Sequence, residues 1–182
     1  MKVVFLSNYF NHHQKPFSEA IYKEIKDDYC FIATEPMDEE RKQMGWSETN
    51  IPSYVRQSYL NIESQRECAL LVAEADIVII GSAPEKMIKE RIRIGKIVFR
   101  YSERPLKQGL ELLKYPLRFF IWHFRNPFWK PIYMLCASAY TAMDYRKFGL
   151  FRDKTYKWGY FPEVKKYDNI EQIIQQKNPI SI

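Results

Sequence analysis

The chain has 182 residues, 46% of them hydrophobic, and a formal net charge of +6. This size predicts one domain, or one domain and a fragment, around a substantial buried core. The balance of charge excludes a histone-like protein, and no apolar run approaches the roughly 20 residues of a membrane span. The moderate positive charge suits nucleic acid, anionic lipid headgroups or phosphorylated sugars, so charge alone does not choose the partner.

The first part of the chain predicts a strand, a loop and a helix on which the rest of the domain is built. Residues 3–6 are a run of β-formers, long enough for a buried parallel strand. The polar and aromatic residues 7–14 form the loop, and Pro16 opens the helix, as proline does at a first helical position. Ligands bind at the carboxyl ends of strands in open α/β sheets, so this loop is predicted to face a substrate.

Strand and helix patterns then alternate along the chain. The predicted strands are residues 29–34, 54–57, 76–81, 96–101, 132–137 and 155–161. The first predicted helix ends near Asp27, and the second covers residues 61–75 with Ile62, Ala69, Leu71 and Val72 facing inward. The third follows a capping box at Ser82 and ends at about Ile92. The fourth is capped by Ser138 and ends at residues 148–149. Between them, residues 35–50 are predicted to form a charged surface excursion with a helical turn.

This alternation predicts an α/β fold, Rossmann-like and doubly wound, with a mostly parallel sheet over residues 1–162. Residues 163–182 are predicted to be a linker, a weak amphipathic turn and the first residues of a second domain. Only four apolar residues separate Lys2 from Ser7, so no signal peptide is predicted and the expected location is cytoplasmic. Cys30, Cys68 and Cys136 lie in apolar runs without a C-x-x-C motif, which predicts three reduced core thiols.

Several familiar signatures are absent from the sequence. It has no G-x-G-x-x-G after the first strand and no G-x-x-x-x-G-K-[S/T], so a standard dinucleotide or P-loop site is not predicted. It has no D-x-D pair, and His12 and His13 are adjacent while His123 lies far away, so no metal site is predicted. No cofactor is expected.

Polar side chains gather at the predicted carboxyl ends of the strands. The candidate ligand-binding residues are Asn8, His12, His13, Gln14, Ser82, Ser102, Glu103 and Arg104. Carboxylate and imidazole groups suit hydroxyls, while helix N-termini and an arginine suit phosphate. Taken singly, each has another interpretation: a solvent-exposed histidine, a serine that only caps a helix, or a surface ion pair. Their convergence at one edge favours a polyhydroxylated, phosphate-bearing ligand.

A second feature interleaves basic and aromatic residues over 114–130. Pro116 and Pro127 bracket a predicted helix of about ten residues, of a kind that lies in the membrane interface. The predicted membrane contacts are Arg118, Trp122, Phe124, Arg125, Trp129 and Lys130, with Arg118, Trp122 and Arg125 sharing one side. One alternative is a helix docked on the sheet or on a neighbouring domain. Another is base stacking on nucleic acid, but no basic groove is identifiable.

Three segments resemble bacterial glycosyltransferases of family four, of the capsule, O-antigen and exopolysaccharide type: residues 2–22, FRYSERP at 99–105, and KWGYFPEV at 157–164. The resemblance implies the GT-B fold, with two Rossmann-like domains and a cleft between them. In that family the N-terminal domain holds the acceptor, often a lipid-linked sugar, and the C-terminal domain grips the nucleotide-sugar donor. Residues 163–182 would then begin a truncated donor-binding domain. The family's glycine-rich turn is replaced here by residues 8–14, so its donor-phosphate contacts are not carried over.

The resulting hypothesis is the acceptor-side domain of a retaining, metal-independent glycosyltransferase in surface-polysaccharide synthesis. Its expected partners are a saccharide or lipid-linked saccharide acceptor, a nucleotide sugar and an anionic membrane surface, but no nucleic acid. The resemblance places the loop of His12 and His13, and the segment of Glu103 and Arg104, at the acceptor cleft. The alternative is a non-catalytic peripheral membrane or partner-binding module on the same fold.

Overall fold

The computed structural model describes residues 1–44, 46, 51–107, 112–162 and 166–176. Its strands are β1 (Val3–Ser7), β2 (Tyr29–Ala33), β3 (Val55–Gln57), β4 (Ile77–Ile80), β5 (Val98–Ser102), β6 (Ile132–Cys136) and β7 (Thr155–Lys157). They form one seven-stranded sheet in the order β3-β2-β1-β4-β5-β6-β7. Every neighbouring pair is parallel. The predicted Rossmann-like α/β fold is confirmed, and the described sheet is parallel throughout.

Seven α-helices connect or follow these strands in the described part of the chain. They are α1 (Lys15–Ile25), α2 (Glu39–Gln43), α3 (Ile62–Glu74), α4 (Lys89–Ile94), α5 (Tyr115–Arg125), α6 (Thr141–Arg146) and α7 (Ile170–Gln176). Pro16 stands in the first turn of α1, as predicted. The short α2 is the helical turn predicted within residues 35–50.

The sheet buries a core on each of its faces. Alternate residues of β1 divide between them: Val4 and Leu6 join the core shared with α3, α4, α5 and α6, whereas Val3 and Phe5 join the core shared with α1. A strand whose two faces are both buried has an unbroken run of apolar residues, which explains the apolar sequences of β1 and β4. β1 lies inside the sheet, between β2 and β4, as expected.

Arg91 of α4 links the segments that surround the core containing Val4 and Leu6. Its side chain is buried, and its guanidinium donates to the carbonyl oxygens of Val72 and Ala75 at 2.7 Å, Ile97 at 2.9 Å and Asp76 at 3.1 Å. Burial lowers the pKa of Arg91 from its ordinary value. An arginine nevertheless keeps its charge, so these are charge-assisted hydrogen bonds. They join the end of α3, the start of β4 and the start of β5.

The inward face of α3 differs from the predicted one. Cys68, Val72 and Ala75 are buried, whereas Ile62 and Ala69 are exposed. Cys68, Val72 and Ala75 are four and three residues apart, so they lie on one face of the helix. Ile62 does not lie on that face. Val72 and the half-buried Leu71 were correctly predicted.

The two predicted serine caps are wrong. The Glu85 carboxylate binds the Arg100 guanidinium, at 2.6 and 3.0 Å, so it cannot complete a capping box with Ser82. A 3-10 turn over residues 85–87 precedes α4, and Ser82 stays exposed. Ser138 accepts from the Tyr140 amide at 3.3 Å and forms a turn before α6 starts at Thr141.

The last strand is shorter than predicted. β7 ends at Lys157, and the aromatic residues after it leave the sheet to pack on the start of α1. The ring centroids of Trp158 and Phe161 lie 4.7 and 5.4 Å from that of Phe17. Because residues 163–165 and 177–182 lie outside the described residues, the division at 162 stays a prediction.

Candidate functional site

A cleft opens at the carboxyl edge of the sheet, where the interior strands β1, β4 and β5 end. Its volume is about 660 Å³, and its lining residues are Ser7, Asn8, Tyr9, Asn11, His13, Gln14, Arg41, Trp46, Gly81, Ser82, Tyr101, Ser102, Glu103 and Tyr160. The loops meet because the three strands are neighbours in the sheet. The structure therefore brings together Asn8, His13, Gln14, Ser82, Ser102 and Glu103 of the predicted set.

The floor of the cleft is narrow at Gly81. A Cβ atom added there would stand 3.3 Å from Tyr101 Cδ1 and 3.4 Å from Ser7 Oγ. The Gly81 amide donates to the Leu6 carbonyl at 2.8 Å, which continues the pairing of β1 and β4. A larger residue would displace the side chains around it, so glycine keeps this end of the cleft open.

The loop after β1 is held by its own hydrogen bonds. The Asn11 side-chain oxygen accepts from the His13 amide at 2.9 Å, and Gln14 Oε1 accepts from the Asn11 amide at 3.2 Å. The amides of Gln14 and Lys15 both donate to the Asn11 carbonyl at 3.0 Å, which leads the chain into α1. This Asx-type turn fixes the backbone that presents His13.

Aromatic rings form one side of the cleft. The Trp46 ring centroid lies 4.6 Å from that of His12 and 5.7 Å from that of His13. The Arg41 guanidinium lies 4.5 Å from the Trp46 centroid, a cation–π contact. Tyr160 approaches from the end of the domain, with its ring centroid 5.2 Å from His13. His12 is not a lining residue, but its ring lies against His13 at 4.0 Å between centroids.

The surroundings of His13 favour its neutral form. Burial, His12 and Arg41 all lower its pKa from the ordinary value of 6.5. Its Nδ1 is buried and has no hydrogen-bond partner within the described residues. A neutral imidazole offers one donor and one acceptor, so His13 can bind a hydroxyl in either direction.

We expect the His13 ring to titrate below pH 6.5 in an NMR titration. The folded state binds this proton less readily than the unfolded state. The stability contributed by the neutral ring is therefore present above about pH 6.5 and is lost as the pH falls through the lowered pKa. His13→Gln should remove that part of the pH dependence of unfolding. A midpoint at or above 6.5 would contradict the assignment.

The opposite side of the cleft carries the carboxylate. Glu103 accepts from Lys107 Nζ in an exposed ion pair. Ser102 Oγ donates to the Glu103 carbonyl at 2.8 Å and accepts from the Tyr145 hydroxyl at 3.3 Å. Burial and Glu103 raise the pKa of Tyr101 to about 12, so its phenol stays protonated. A carboxylate, a phenol and a serine hydroxyl thus line the same cleft as the His13 imidazole and the Trp46 indole.

Arg104 is not part of the cleft, contrary to its inclusion in the predicted set. Its Nε donates to Asp144 Oδ2 at 2.9 Å, and its guanidinium lies 5.0 Å from the Tyr140 ring centroid. Asp144 is fully buried and also accepts from the Leu106 amide at 3.3 Å. A buried carboxylate needs such partners, and it draws Arg104 towards α6. Arg104 positions the segment that bears Glu103.

Asp144→Asn should lower the free energy of unfolding by about 1–2 kcal/mol, because it removes the charge that Arg104 neutralises. Urea unfolding followed by tryptophan fluorescence measures this change. The exposed Asp153→Asn is the matched control and should stay within about 0.5 kcal/mol of the parent protein. Equal stabilities for both variants would show that the Arg104–Asp144 pair does not hold this segment.

The basic-aromatic helix, predicted between Pro116 and Pro127, is observed as α5 and ends at Arg125. Its Trp122 does not face outward as predicted: the indole packs 4.6 Å from the Phe148 ring and 5.3 Å from the Tyr145 ring. Phe124, Arg125 and Trp129 are exposed, and Arg118 is half-buried. Lys130 Nζ donates to the Arg93 carbonyl at 2.7 Å, so its charge is directed to the end of α4.

A second cavity of about 430 Å³ lies at the amino ends of β6 and β7. Its lining includes His123, Asn126 and Lys154, and none of the predicted ligand-binding residues. His123 Nδ1 is hydrogen-bonded to the Phe119 carbonyl, and Lys154 Nζ donates to the carbonyls of Phe128 and Lys130. The His123 contact lies within α5 and Lys154 joins two loops, whereas the cleft at the carboxyl edge presents groups to a ligand.

The candidate residues named from the sequence did not include Tyr9, Arg41, Trp46, Tyr101 and Tyr160 of the cleft, although Tyr9 lies in the loop that was predicted to face a substrate. Tyr101 ends the predicted strand beside Ser102, so its place at the edge was available from the sequence. Arg41 and Trp46 reach the cleft through tertiary packing of a segment that carries no site motif, whereas Tyr160 belongs to the segment 157–164 that resembles the glycosyltransferase family. In the described residues there is no group of three or more side chains suited to a metal ion.

Among the described residues, no helix has the length and apolar character needed to cross a membrane. The sequence matches no protein-family model. It also has no significant match among curated proteins or solved structures.

Proposed function

We propose that this chain is the acceptor-side domain of a retaining, metal-independent glycosyltransferase. The observation that carries the proposal is the cleft at the carboxyl ends of β1, β4 and β5, where Glu103 and His13 lie among aromatic rings. Ligand sites of this kind combine apolar and aromatic walls with a few placed polar groups. The family resemblance of the segments that contribute His13, Glu103 and Tyr160 supports the same function.

A saccharide could contact both the polar groups and the aromatic rings that line the cleft. Its hydroxyls would donate to the Glu103 carboxylate and exchange hydrogen bonds with His13, Asn8 and Ser102. Its apolar ring faces would lie against Trp46 or Tyr160. Charge-assisted hydrogen bonds to a carboxylate are about twice as strong as neutral ones, so Glu103 would contribute most to orientation.

The transfer itself would need a nucleotide-sugar donor, held mainly by a second domain. Cations and helix N-termini would stabilise the departing diphosphate in place of a metal ion. The role of this domain is then to hold the acceptor, a saccharide or lipid-linked saccharide, against the donor. We place the reaction at the cytoplasmic face of the membrane, in surface-polysaccharide synthesis.

The proposal is tested by a transfer assay with radiolabelled UDP-glucose, UDP-galactose and GDP-mannose and a short-chain prenyl-diphosphate sugar as acceptor. The chain extended by a second, donor-binding Rossmann-like domain should transfer sugar, while residues 1–182 alone should not. Nucleotide-sugar binding is measured separately by calorimetry. An extended chain that binds no nucleotide sugar would contradict the proposal.

A further inference from the structure

The outer side of α5 and the turns before and after it carry exposed apolar side chains. These side chains, which we call the α5 apolar face, are Leu113, Leu117, Phe120, Ile121, Phe124, Phe128 and Trp129. Phe124 is 84% exposed and Phe128 is 79% exposed. Exposed apolar patches of this kind mark contacts with a partner or a membrane.

The α5 apolar face cannot turn inward, because the other side of the helix is already packed. Tyr115 stacks on Phe148 with 4.8 Å between centroids, and Trp122 contacts the same ring at 4.6 Å. Phe119 joins the same core. Residues 117, 120, 121 and 124 follow the spacing of one helix face, so their exposure is a property of the fold.

The charge around this face points to an anionic occupant. Residues 112–130 contain Lys114, Arg118, Arg125 and Lys130, and no aspartate or glutamate. Arg125 is exposed at the end of α5. A second copy of the chain would bring the same positive charges together, which disfavours self-association.

The shape of the face favours a bilayer over an acidic protein. The apolar side chains project from a helix as a ridge, whereas recognition of a peptide helix or strand needs a groove or a free sheet edge. A ridge of phenylalanine and leucine with tryptophan at one end and arginine at the flank is typical of helices that lie in the membrane interface.

We propose that the α5 apolar face inserts into the interface of an anionic lipid bilayer. The contact residues differ from the sequence prediction: Leu117, Phe120 and Phe128 belong to the face and Trp122 does not. Phe124 and Trp129 would enter the acyl and headgroup boundary, and Arg125 would meet the lipid phosphates. This contact does not involve the cleft, so the test of membrane binding is independent of the test of the proposed function.

The test is cosedimentation of the chain with vesicles of equimolar phosphatidylglycerol and phosphatidylcholine. The parent protein should bind these vesicles, bind pure phosphatidylcholine less, and dissociate as salt is added. The double substitution Phe120→Ser and Phe124→Ser should lower the partition coefficient about tenfold or more. The matched control, Ile62→Ser and Leu70→Ser on α3, also replaces exposed apolar residues and should bind as the parent does.

A second readout uses Trp129, whose emission should be quenched by brominated lipid. Circular dichroism checks that the Phe120 and Phe124 variant is folded. Equal vesicle binding by the parent and that variant would overturn the inference. A lack of vesicle binding by the parent would overturn it as well, and a concentration-dependent dimer that the variant loses would then identify a second copy as the occupant.

Discussion

Replacing Arg91 with methionine should lower the free energy of unfolding by about 3–5 kcal/mol. The guanidinium satisfies the carbonyls of Val72, Ala75, Asp76 and Ile97 inside the protein. Methionine fills a similar volume but donates no hydrogen bond, so the carbonyls of Val72, Ala75 and Asp76 lose this donor, while that of Ile97 keeps the Val78 amide at 3.4 Å. Urea unfolding followed by tryptophan fluorescence measures the loss.

The matched control lies two residues away on the same helix. Arg93 is exposed and pairs with Glu90 at 2.6 Å. An exposed pair of this spacing contributes little, so Arg93→Met should leave the urea midpoint of unfolding close to that of the parent protein. A change of less than about 1 kcal/mol for Arg91→Met would mean that the four carbonyls are satisfied in another way.

Glu103→Gln should weaken saccharide binding by about ten- to a hundredfold, since it replaces charge-assisted hydrogen bonds with neutral ones. The fold should tolerate the change, because the pair of Glu103 with Lys107 is exposed and contributes little to stability. Binding is measured by NMR titration with methyl glycosides and short-chain prenyl-diphosphate sugars. Glu63→Gln on the exposed surface of α3 is the matched control and should bind as the parent does.

The two neighbouring histidines give a second comparison within the same experiment. His13 lines the cleft, whereas His12 is not a lining residue and contacts the rings of His13 and Trp46. His13→Gln should therefore weaken binding more than His12→Gln. A larger loss for His12→Gln, or unchanged binding for Glu103→Gln, would contradict the assigned roles.

The sheet was predictable because its strands carry strong local signals. The apolar runs at β1 and β4 are typical of parallel strands buried on both faces, and residues after such strands must gather at one edge. That is why Asn8, Ser82 and Glu103 were placed correctly at the cleft without any contact information.

The errors arose where a side chain had two possible partners. Arg104 follows Glu103 in the sequence, but the buried Asp144, 40 positions away, attracts it to α6. Glu85 has capping-box spacing from Ser82, but Arg100 binds its carboxylate instead. Long-range ion pairs of this kind override a local pattern, and sequence spacing does not reveal them.

The sequence also did not predict which side of α5 is exposed to solvent. The prediction grouped Trp122 with Arg118 and Arg125, because all three share a helical spacing. Phe148 and Tyr145 supply an aromatic pocket for the Trp122 indole. Which stripe of an aromatic helix is buried depends on such partners, and they come from α6 and the residues after it.

The most direct test of the account is a map of amide chemical-shift changes in the ¹⁵N-labelled chain on titration with prenyl-diphosphate sugars and methyl glycosides. The account predicts changes at Asn8, His13, Gly81, Ser102 and Glu103, the lining of the cleft at the carboxyl edge of the sheet. Changes confined to the cavity at the amino ends of β6 and β7, or no changes at all, would contradict it.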